Sequence, residues 1–191
     1  WREELRAGRA ALREAFLARA DTNALLRGHA RLVGRVLVEA WNACSAPGDM
    51  ALLAVGGFGR GALFPHSDVD LLLLLPGPAD AAGTAFVERF VGLLWDIGIE
   101  AAHSVRTLAE CETEMDGDIT VRTNLLENRW LAGSRALHRA FVRSFAARMD
   151  GAHFCEAKCL EQQQRHLKYH DTAYNLEPNV KESPGGLRDL H

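Results

Sequence analysis

Hydrophobic positions in the first quarter of the chain recur every three or four residues and predict two helices. The repeat covers residues 3–44 and is interspersed with Arg and Glu side chains. The polar cluster Asp21-Thr22-Asn23 predicts a helix cap between the two helices. Turn-forming residues at 45–49 then end this helical lead-in.

Short apolar runs bounded by turn residues predict the strands of a buried sheet. Met50–Val55 and Val69–Leu75 are apolar almost without interruption, which is typical of strands covered on both faces. Ile99–Val105 is a third candidate strand, and a helical repeat fills residues 79–97. Strands that alternate with helices in this way favour an α/β fold class.

From Thr107 onward the pattern predicts only helices and a final loop. The predicted helices cover residues 107–115, 118–131, 134–148 and 152–174. The loop from 177 to 186 contains two prolines and two glycines. The predicted organisation is an N-terminal helical lead-in, a core and a helical region ending in a Pro/Gly-rich loop, over residues 1–46, 47–117 and 118–191.

Composition narrows the class of protein. Apolar residues make up 48% of the chain and charged residues 25%, which excludes disorder, collagen and a coiled coil. The formal net charge of −3 lacks the basic excess of a nucleic-acid coat, so we expect no nucleic-acid partner. The longest apolar run, residues 69–75, is far shorter than the roughly 20 residues of a membrane-spanning helix, so we expect no membrane partner.

The cysteines and the chain ends add two expectations. The four cysteines have no repeating spacing, which favours reduced thiols in a cytoplasmic protein. The chain begins at Trp1 and ends in Gly-Gly-Leu-Arg-Asp-Leu-His, and we expect it to be a piece of a longer multidomain protein.

One segment combines a glycine-rich turn with paired acids. The turn Gly56-Gly57-Phe58-Gly59-Arg60-Gly61 follows the first strand, and Ser67-Asp68-Val69-Asp70 opens the second. Glycines let main-chain N–H groups approach a phosphate closely, and an arginine adds a permanent charge. Alternation along a strand places the two aspartates on the same side. Two carboxylates without Cys or His ligands predict a Mg²⁺ or Mn²⁺ site.

Two other glycine-rich phosphate sites fit this segment less well. A P-loop requires Gly-Lys-Ser/Thr, whereas here Gly59 is followed by Arg60 and Gly61. A dinucleotide fingerprint beginning at Gly57 has Ala62 in its sixth place, which the looser pattern allows. A dinucleotide-binding fold would not place two aspartates at the start of the next strand.

The segment resembles the nucleotidyltransferases of the DNA polymerase β superfamily, in which Gly-Gly or Gly-Ser precedes Asp-x-Asp on the next strand. The resemblance implies a core of a small mixed sheet with helices. It also implies that Asp68 and Asp70 bind two Mg²⁺ ions and act in catalysis. The implied nucleotide-binding residues are Gly56, Gly57, Gly59, Arg60 and Ser67.

Within that superfamily, the chain is similar to the bacterial PII uridylyltransferase/uridylyl-removing enzymes. The string from Gly56 to Leu74 carries the resemblance, and three further strings accompany it, Leu94-Trp95-Asp96-Ile97-Gly98, His103-Ser104-Val105-Arg106-Thr107 and the stretch from Asp171 to Asp189. The resemblance implies transfer of UMP from UTP to a tyrosine of the PII signal-transduction protein, with release of pyrophosphate. UTP would be the substrate and PII the partner.

A phenol with a pKa of about 10 needs a base to become a nucleophile, and the sequence leaves that base open. The superfamily supplies a third carboxylate, for which Asp118 and Glu100 rank equally and Asp96 lower. Two alternative functions also remain: a related transferase that uses ATP on another acceptor, and a domain that senses nucleotide without reacting.

The Pro/Gly-rich loop near the end of the chain has two interpretations. Residues 179–189 contain Lys181 and Arg188, and loops of this kind are either connectors or substrate clamps. The family resemblance implies that the loop faces the active-site cleft and contacts nucleotide or partner, with Lys181 as the candidate nucleotide-binding residue.

Overall fold

The computed structural model of the protein describes residues 1–169, 172, 177 and 179–190. The chain divides into two compact units, Trp1–Ala146 and Ala147–His191. In chain order, the described residues form α1 (Arg2–Arg19), α2 (Thr22–Ala43), β1 (Ala51–Ala54), α3 (Gly56–Gly59), β2 (Val69–Leu75), α4 (Ala81–Ile97), β3 (Ala101–Thr107), α5 (Leu108–Gly117), α6 (Ile119–Leu126), β4 (Arg129–Gly133), α7 (Arg135–Arg148), α8 (Gly151–Leu167) and a 3-10 helix (Leu187–Asp189).

The first unit is built on a four-stranded mixed sheet with the order β3-β2-β1-β4. β1 pairs antiparallel with both β2 and β4. β2 and β3 run parallel, and the chain passes between them through α4, since parallel neighbours need a crossover connection. The α/β fold class and the small mixed sheet are confirmed.

The central strand β2 is buried on both faces, which explains its run of leucines. On one face Leu71 and Leu73 belong to the main hydrophobic core, together with residues of α2 and α4. In that layer, Trp41 of α2 meets Phe86 of α4 edge-on, with ring centroids 4.7 Å apart. Alternation puts Leu72, Leu74 and Asp70 on the opposite face. Asp70 is the first and least buried residue of that second row.

One predicted helix is wrong over its second half. Residues 118–131 were expected to form a single helix, but α6 ends at Leu126 and Arg129–Gly133 forms β4. The sheet therefore uses a strand from the region predicted to be wholly helical. Trp130, Leu131 and Ala132 fit either element by hydrophobicity, and pairing with the buried strand β1 selects the extended form.

The last predicted helix, 152–174, also ends earlier than expected. α8 ends at Leu167, and Lys168 and Tyr169 form a turn. Of the remaining predicted residues, only Thr172 is described, outside any helix.

Two further expectations concern membrane-spanning helices and the state of the cysteines. Within the described ranges, no helix has both the length and the apolar character needed to cross a bilayer. All four cysteines lie among the described residues and are free thiols.

Candidate active site

The glycine turn forms one turn of helix, α3, directly after β1. Gly56 enters it with φ of +56°, a left-handed conformation that glycine adopts without strain. The turn is fixed to its neighbours by main-chain hydrogen bonds, because Val55 N–H donates to Asp70 O at 3.1 Å and Ala62 N–H donates to Gly57 O at 3.1 Å. The turn and the start of β2 therefore form one rigid piece of main chain.

The connection from α6 to β4 braces this turn by close main-chain contact. A Cβ on Gly59 would lie 1.7 Å from the carbonyl oxygen of Glu127, so no other residue fits there. Arg129 of β4 donates from Nη2 to Phe58 O at 3.0 Å, and its guanidinium lies 5.1 Å from the centre of the Phe58 ring. Burial lowers the pKa of this guanidinium. The structure thus gives Gly59 a packing role, and its predicted nucleotide contact stays a prediction.

The paired aspartates sit at the entry of β2. Val69 lies between them and is buried at 3% exposure, whereas Asp68 is exposed and Asp70 is half-buried. Alternation about the buried Val69 turns both carboxylates to the opposite side of the strand. The sequence-predicted pair therefore has the exposure that a cation site requires, together with a common side.

A cleft of about 180 Å³ opens beside Asp70. Its polar lining includes Ser104 and Arg106 of β3 and Asn124 of α6. Arg106 also pairs with Glu114 of α5 at 3.3 Å. The register places Asp70 opposite Ala102, so Ser104 and Arg106 continue along β3 on the face that carries Asp70.

The loop between the turn and β2 is anchored to helix α2. Leu63 N–H donates to Leu26 O at 3.3 Å, and the buried His29 is 3.2 Å from Leu63 O through Nδ1. Arg9 donates to Nε2 of the same ring, which makes Nδ1 the protonated nitrogen. Burial, opposed in part by the hydrogen bond to Leu63 O, lowers the pKa of His29.

Arg60 and Ser67 lie at the two ends of this anchored loop. Arg60 is close to Gly57 and forms an ion pair with Glu127, and its side chain is 42% exposed. Ser67 is exposed, one residue before Asp68. Both positions are compatible with a nucleotide contact, which remains a prediction for each residue.

The structure places the two candidates for the third carboxylate differently. Glu100 is exposed, and its main-chain oxygen accepts a hydrogen bond from Val69 N–H at 2.9 Å, so its backbone lies beside the aspartate pair. Asp118 caps α6, where its Oδ1 accepts from Thr120 N–H at 2.6 Å. Among the residues that the structure describes, no group of three or more His, Cys, Asp or Glu side chains could bind one metal ion.

Lys181 belongs to the second unit, in a loop that is bound to α8 by charge. The buried Arg165 donates to Asp189 Oδ1 at 2.8 Å and to Glu182 O at 3.0 Å. Burial disfavours the charged form of Asp189, but hydrogen bonds from Gln162, Arg165 and His166 outweigh it and hold the pKa of the carboxyl well below its ordinary value. Lys181 is exposed in this loop, and its predicted nucleotide contact stays a prediction.

Sequence reasoning missed three residues that shape the site, namely Asn124, Glu127 and Arg129. All three lie in the stretch interpreted as a continuous helix, in which only Asp118 was assigned a role. The available signal was local: Asn124 lies on the same face of α6 as Val121 and Leu125. A polar residue on an otherwise apolar helix face indicates a buried partner or a ligand.

Comparison with known proteins identifies the family of the chain. A family described as "Nucleotidyltransferase domain" matches residues 37–137, which include the turn, the aspartates and β4. A second, described as "GlnD PII-uridylyltransferase", matches residues 153–191. A bifunctional uridylyltransferase/uridylyl-removing enzyme of Cupriavidus metallidurans is 54% identical over 189 residues, 99% of this chain. The chain belongs to this uridylyltransferase family.

Other relatives agree, and they show how much of the family protein this chain represents. The enzyme of the same name from Chromobacterium violaceum is 51% identical over 191 residues, the whole of this chain. The chain spans 22% of the length of both relatives. A crystal structure of a toxin–antitoxin with AMP-PNP superposes with a TM-score of 0.38 at 12% identity, over 72% of this chain and 96% of that one, too weak a similarity to extend the comparison.

Proposed function

We propose that this chain is the nucleotidyl-transfer region of a uridylyltransferase that moves UMP from UTP to a tyrosine of a PII protein and releases pyrophosphate. The observation that carries the proposal is the direct main-chain connection between the glycine turn and the Asp68–Asp70 strand, beside a cleft. Membership of the uridylyltransferase family supports uridylyl as the transferred group.

The donor set at the entry of β2 fits a divalent cation. Asp68 and Asp70 offer hard carboxylate oxygens on one side of the strand, and among the described residues no His or Cys joins them in a group of three that could bind one ion. Such oxygens suit Mg²⁺ or Mn²⁺. When bound, a divalent cation stabilises the charge that develops on the entering and leaving oxygens of a phosphoryl centre.

The chain's own residues position the nucleotide. Gly56 and Gly57 keep the turn bare of side chains, so phosphate oxygens can approach its main chain closely. Arg60 supplies a cation next to Gly57, and Ser67 supplies a hydroxyl at the other end of the same loop. Rigid anchoring of this loop holds the α-phosphate in line for attack, which accounts for most of the catalysis in reactions of this type.

Glu100 is the better supported base for the tyrosine proton. Its main chain lies beside the strand of the aspartates, whereas Asp118 already serves as the cap of α6. A carboxylate one strand away from the cation site is within reach of an incoming hydroxyl. Replacement of each acid by its amide, Glu100→Gln and Asp118→Asn, separates the two assignments through the pH dependence of transfer.

The proposal is tested by incorporation of labelled UMP into PII. We expect Asp70→Asn and Asp68→Asn each to lower the rate by at least about a hundredfold, since each removes charge from the reacting centre. Asp80→Asn is the matched control, because Asp80 caps α4 and lies outside the site. Equal rates in the wild-type protein and in Asp70→Asn would refute the proposal.

Substrate choice is measured in the same assay. ATP offered in place of UTP is expected to give at most a small fraction of the transfer. A preference for ATP would instead support a related transferase with another acceptor, and UTP binding without pyrophosphate release would support a nucleotide-sensing domain.

A further inference from the structure

Helix α6 presents one polar side chain to the cleft. Its first turn is set by Asp118, which caps Thr120 N–H and Val121 N–H. Arg122 and Thr123 use their polar groups on main-chain oxygens, because Arg122 donates to Met115 O at 2.7 Å and Thr123 to Ile119 O at 2.7 Å. Asn124 differs from both of them, since it lines the cleft together with Asp70.

The Asn124 amide and the Asp70 carboxylate both lie next to Gly56 of the glycine turn. A Cβ placed on Gly56 would lie 2.4 Å from Asn124 Oδ1 and 3.3 Å from Asp70 Oδ2. Asn124 Oδ1 of α6 and Asp70 Oδ2 of β2 therefore both lie close to Gly56, which has no side chain. The left-handed φ of Gly56 and this contact both exclude a side chain there, so no Cβ of residue 56 lies beside the two oxygens.

We propose that Asn124 Oδ1 is a third oxygen ligand of the divalent cation bound by Asp68 and Asp70. The proposal rests on the cation site of the proposed function. An amide oxygen is a hard, neutral donor of the kind that such cations accept alongside carboxylates. A neutral ligand is also consistent with the described residues, which bring no third acidic side chain to this place.

A neutral third ligand changes the charge of the site. Two carboxylates leave a Mg²⁺ or Mn²⁺ ion electrically balanced, so the negative triphosphate meets no excess of negative charge from the protein. A third carboxylate would add repulsion toward the same triphosphate. Asn124 thereby gives the cation a third side-chain oxygen without adding a negative charge that repels the triphosphate.

Binding of Mn²⁺ to the full chain, followed by electron paramagnetic resonance of the free ion, tests the proposal without any turnover. Asn124→Ala is expected to weaken Mn²⁺ binding about tenfold. Asn124→Asp keeps an oxygen in place and is expected to bind Mn²⁺ at least as tightly as the wild-type protein. Thr123→Ala is the matched control, since it lies on the same helix but points to Ile119 O, and it is expected to leave binding unchanged.

The outcomes separate this proposal from the proposed function. Wild-type Mn²⁺ affinity in Asn124→Ala, or equal weakening in Asn124→Asp and Asn124→Ala, would overturn a ligand role for Oδ1. Asp70→Asn reports on the cation site itself: if it binds Mn²⁺ as well as the wild-type protein does, the proposed cation site fails. Circular dichroism verifies that each variant is folded, and the isosteric Asn124→Asp keeps the test valid if Asn124→Ala unfolds.

Discussion

The glycine segment at residues 56–70 and the C-terminal loop at residues 179–190 contain the same kinds of residue but are built differently. Both are rich in glycine and carry a basic side chain beside acids. The glycine segment is held by main-chain hydrogen bonds and by apolar contacts to α2. The C-terminal loop is held by the charges of Arg165 and Asp189.

The two segments differ in how they use charged side chains. Those of the C-terminal loop form ion pairs within the second unit, whereas Asp68 of the glycine segment is exposed to solvent. In the C-terminal loop, Asp189, Glu182 and Arg188 all take part in ion pairs or hydrogen bonds within the second unit. In the glycine segment, packing of main chain and leucines fixes the backbone, and Asp68 stays exposed at its end. The second arrangement suits a site for an anionic nucleotide and its cation, because a charged group that is buried in an ion pair must break that pair before it can bind a ligand.

The sharpest test of the comparison replaces glycines of the turn. Gly59→Ala is expected to lower the free energy of unfolding by at least about 3 kcal/mol, because its Cβ would overlap the Glu127 carbonyl oxygen. Gly57→Ala is the matched control, since its Cβ would meet the nearest atoms at an ordinary 3.6 Å. Urea unfolding followed by circular dichroism measures both, and equal stability of the two variants would contradict the packing role of Gly59.

A second test removes the charge that holds the C-terminal loop. Arg165→Met is expected to cost about 3 kcal/mol within the second unit, because it leaves Asp189 without its buried partner. Arg188→Met serves as the control, since the ion pair of the largely exposed Arg188 is worth at most about 1 kcal/mol. Hydrogen exchange at Gly185 N–H and Leu187 N–H reports on the loop, and unchanged protection in Arg165→Met would refute this account.

Acid is expected to change the stability of the two segments over different pH ranges. His29 contacts the glycine segment, and Asp189 belongs to the C-terminal loop. Burial lowers the pKa of His29 in the folded protein, so the unfolded chain binds the proton more tightly and acidification below the ordinary histidine pKa of about 6.5 favours unfolding, by at most about 1.4 kcal/mol per pH unit. The stabilisation that Asp189 contributes through its depressed pKa is fully present above about pH 3.9, the ordinary aspartate value, and is lost as the pH falls further.

The pH test uses thermal unfolding between pH 7 and pH 5. His29→Gln is expected to flatten the loss of stability over this range, whereas His153→Gln, at an exposed position of α8, leaves it unchanged. Hydrogen exchange in the C-terminal loop is expected to show constant protection over the same range. A wild-type pH profile in His29→Gln would rule out His29 as the acid-sensitive anchor.

The smallest expected effect concerns the ion pair between Arg60 and Glu127. Both side chains are partly exposed, so Glu127→Gln is expected to change the free energy of unfolding by no more than about 1 kcal/mol. Arg60 is then released toward the phosphates, and UTP affinity measured by calorimetry is expected to rise a few-fold. Weaker UTP binding in Glu127→Gln would show that Glu127 orients Arg60 instead of competing for it.

The local pattern of hydrophobic and polar residues was sufficient to predict the elements around the aspartates. The helical repeat of residues 3–44 and the leucine run of β2 encode their structure within a few residues, and the alternation around Val69 defines the side on which Asp68 and Asp70 lie. These features depend on neighbours in the sequence, and they agree with the structure.

The residues that pack against that strand come from distant parts of the sequence. β4 became a strand because β1 had an open edge, and Gly59 met the Glu127 carbonyl only after that pairing brought the two segments together. Asn124 reached Gly56 in the same way, across 68 positions of the sequence. Such contacts depend on the packing free energy of the whole sheet, which no short window of sequence contains. Residues that are close in the sequence therefore specify the glycine turn and its acid pair, whereas packing of the whole sheet selects the distant side chains that complete the cleft.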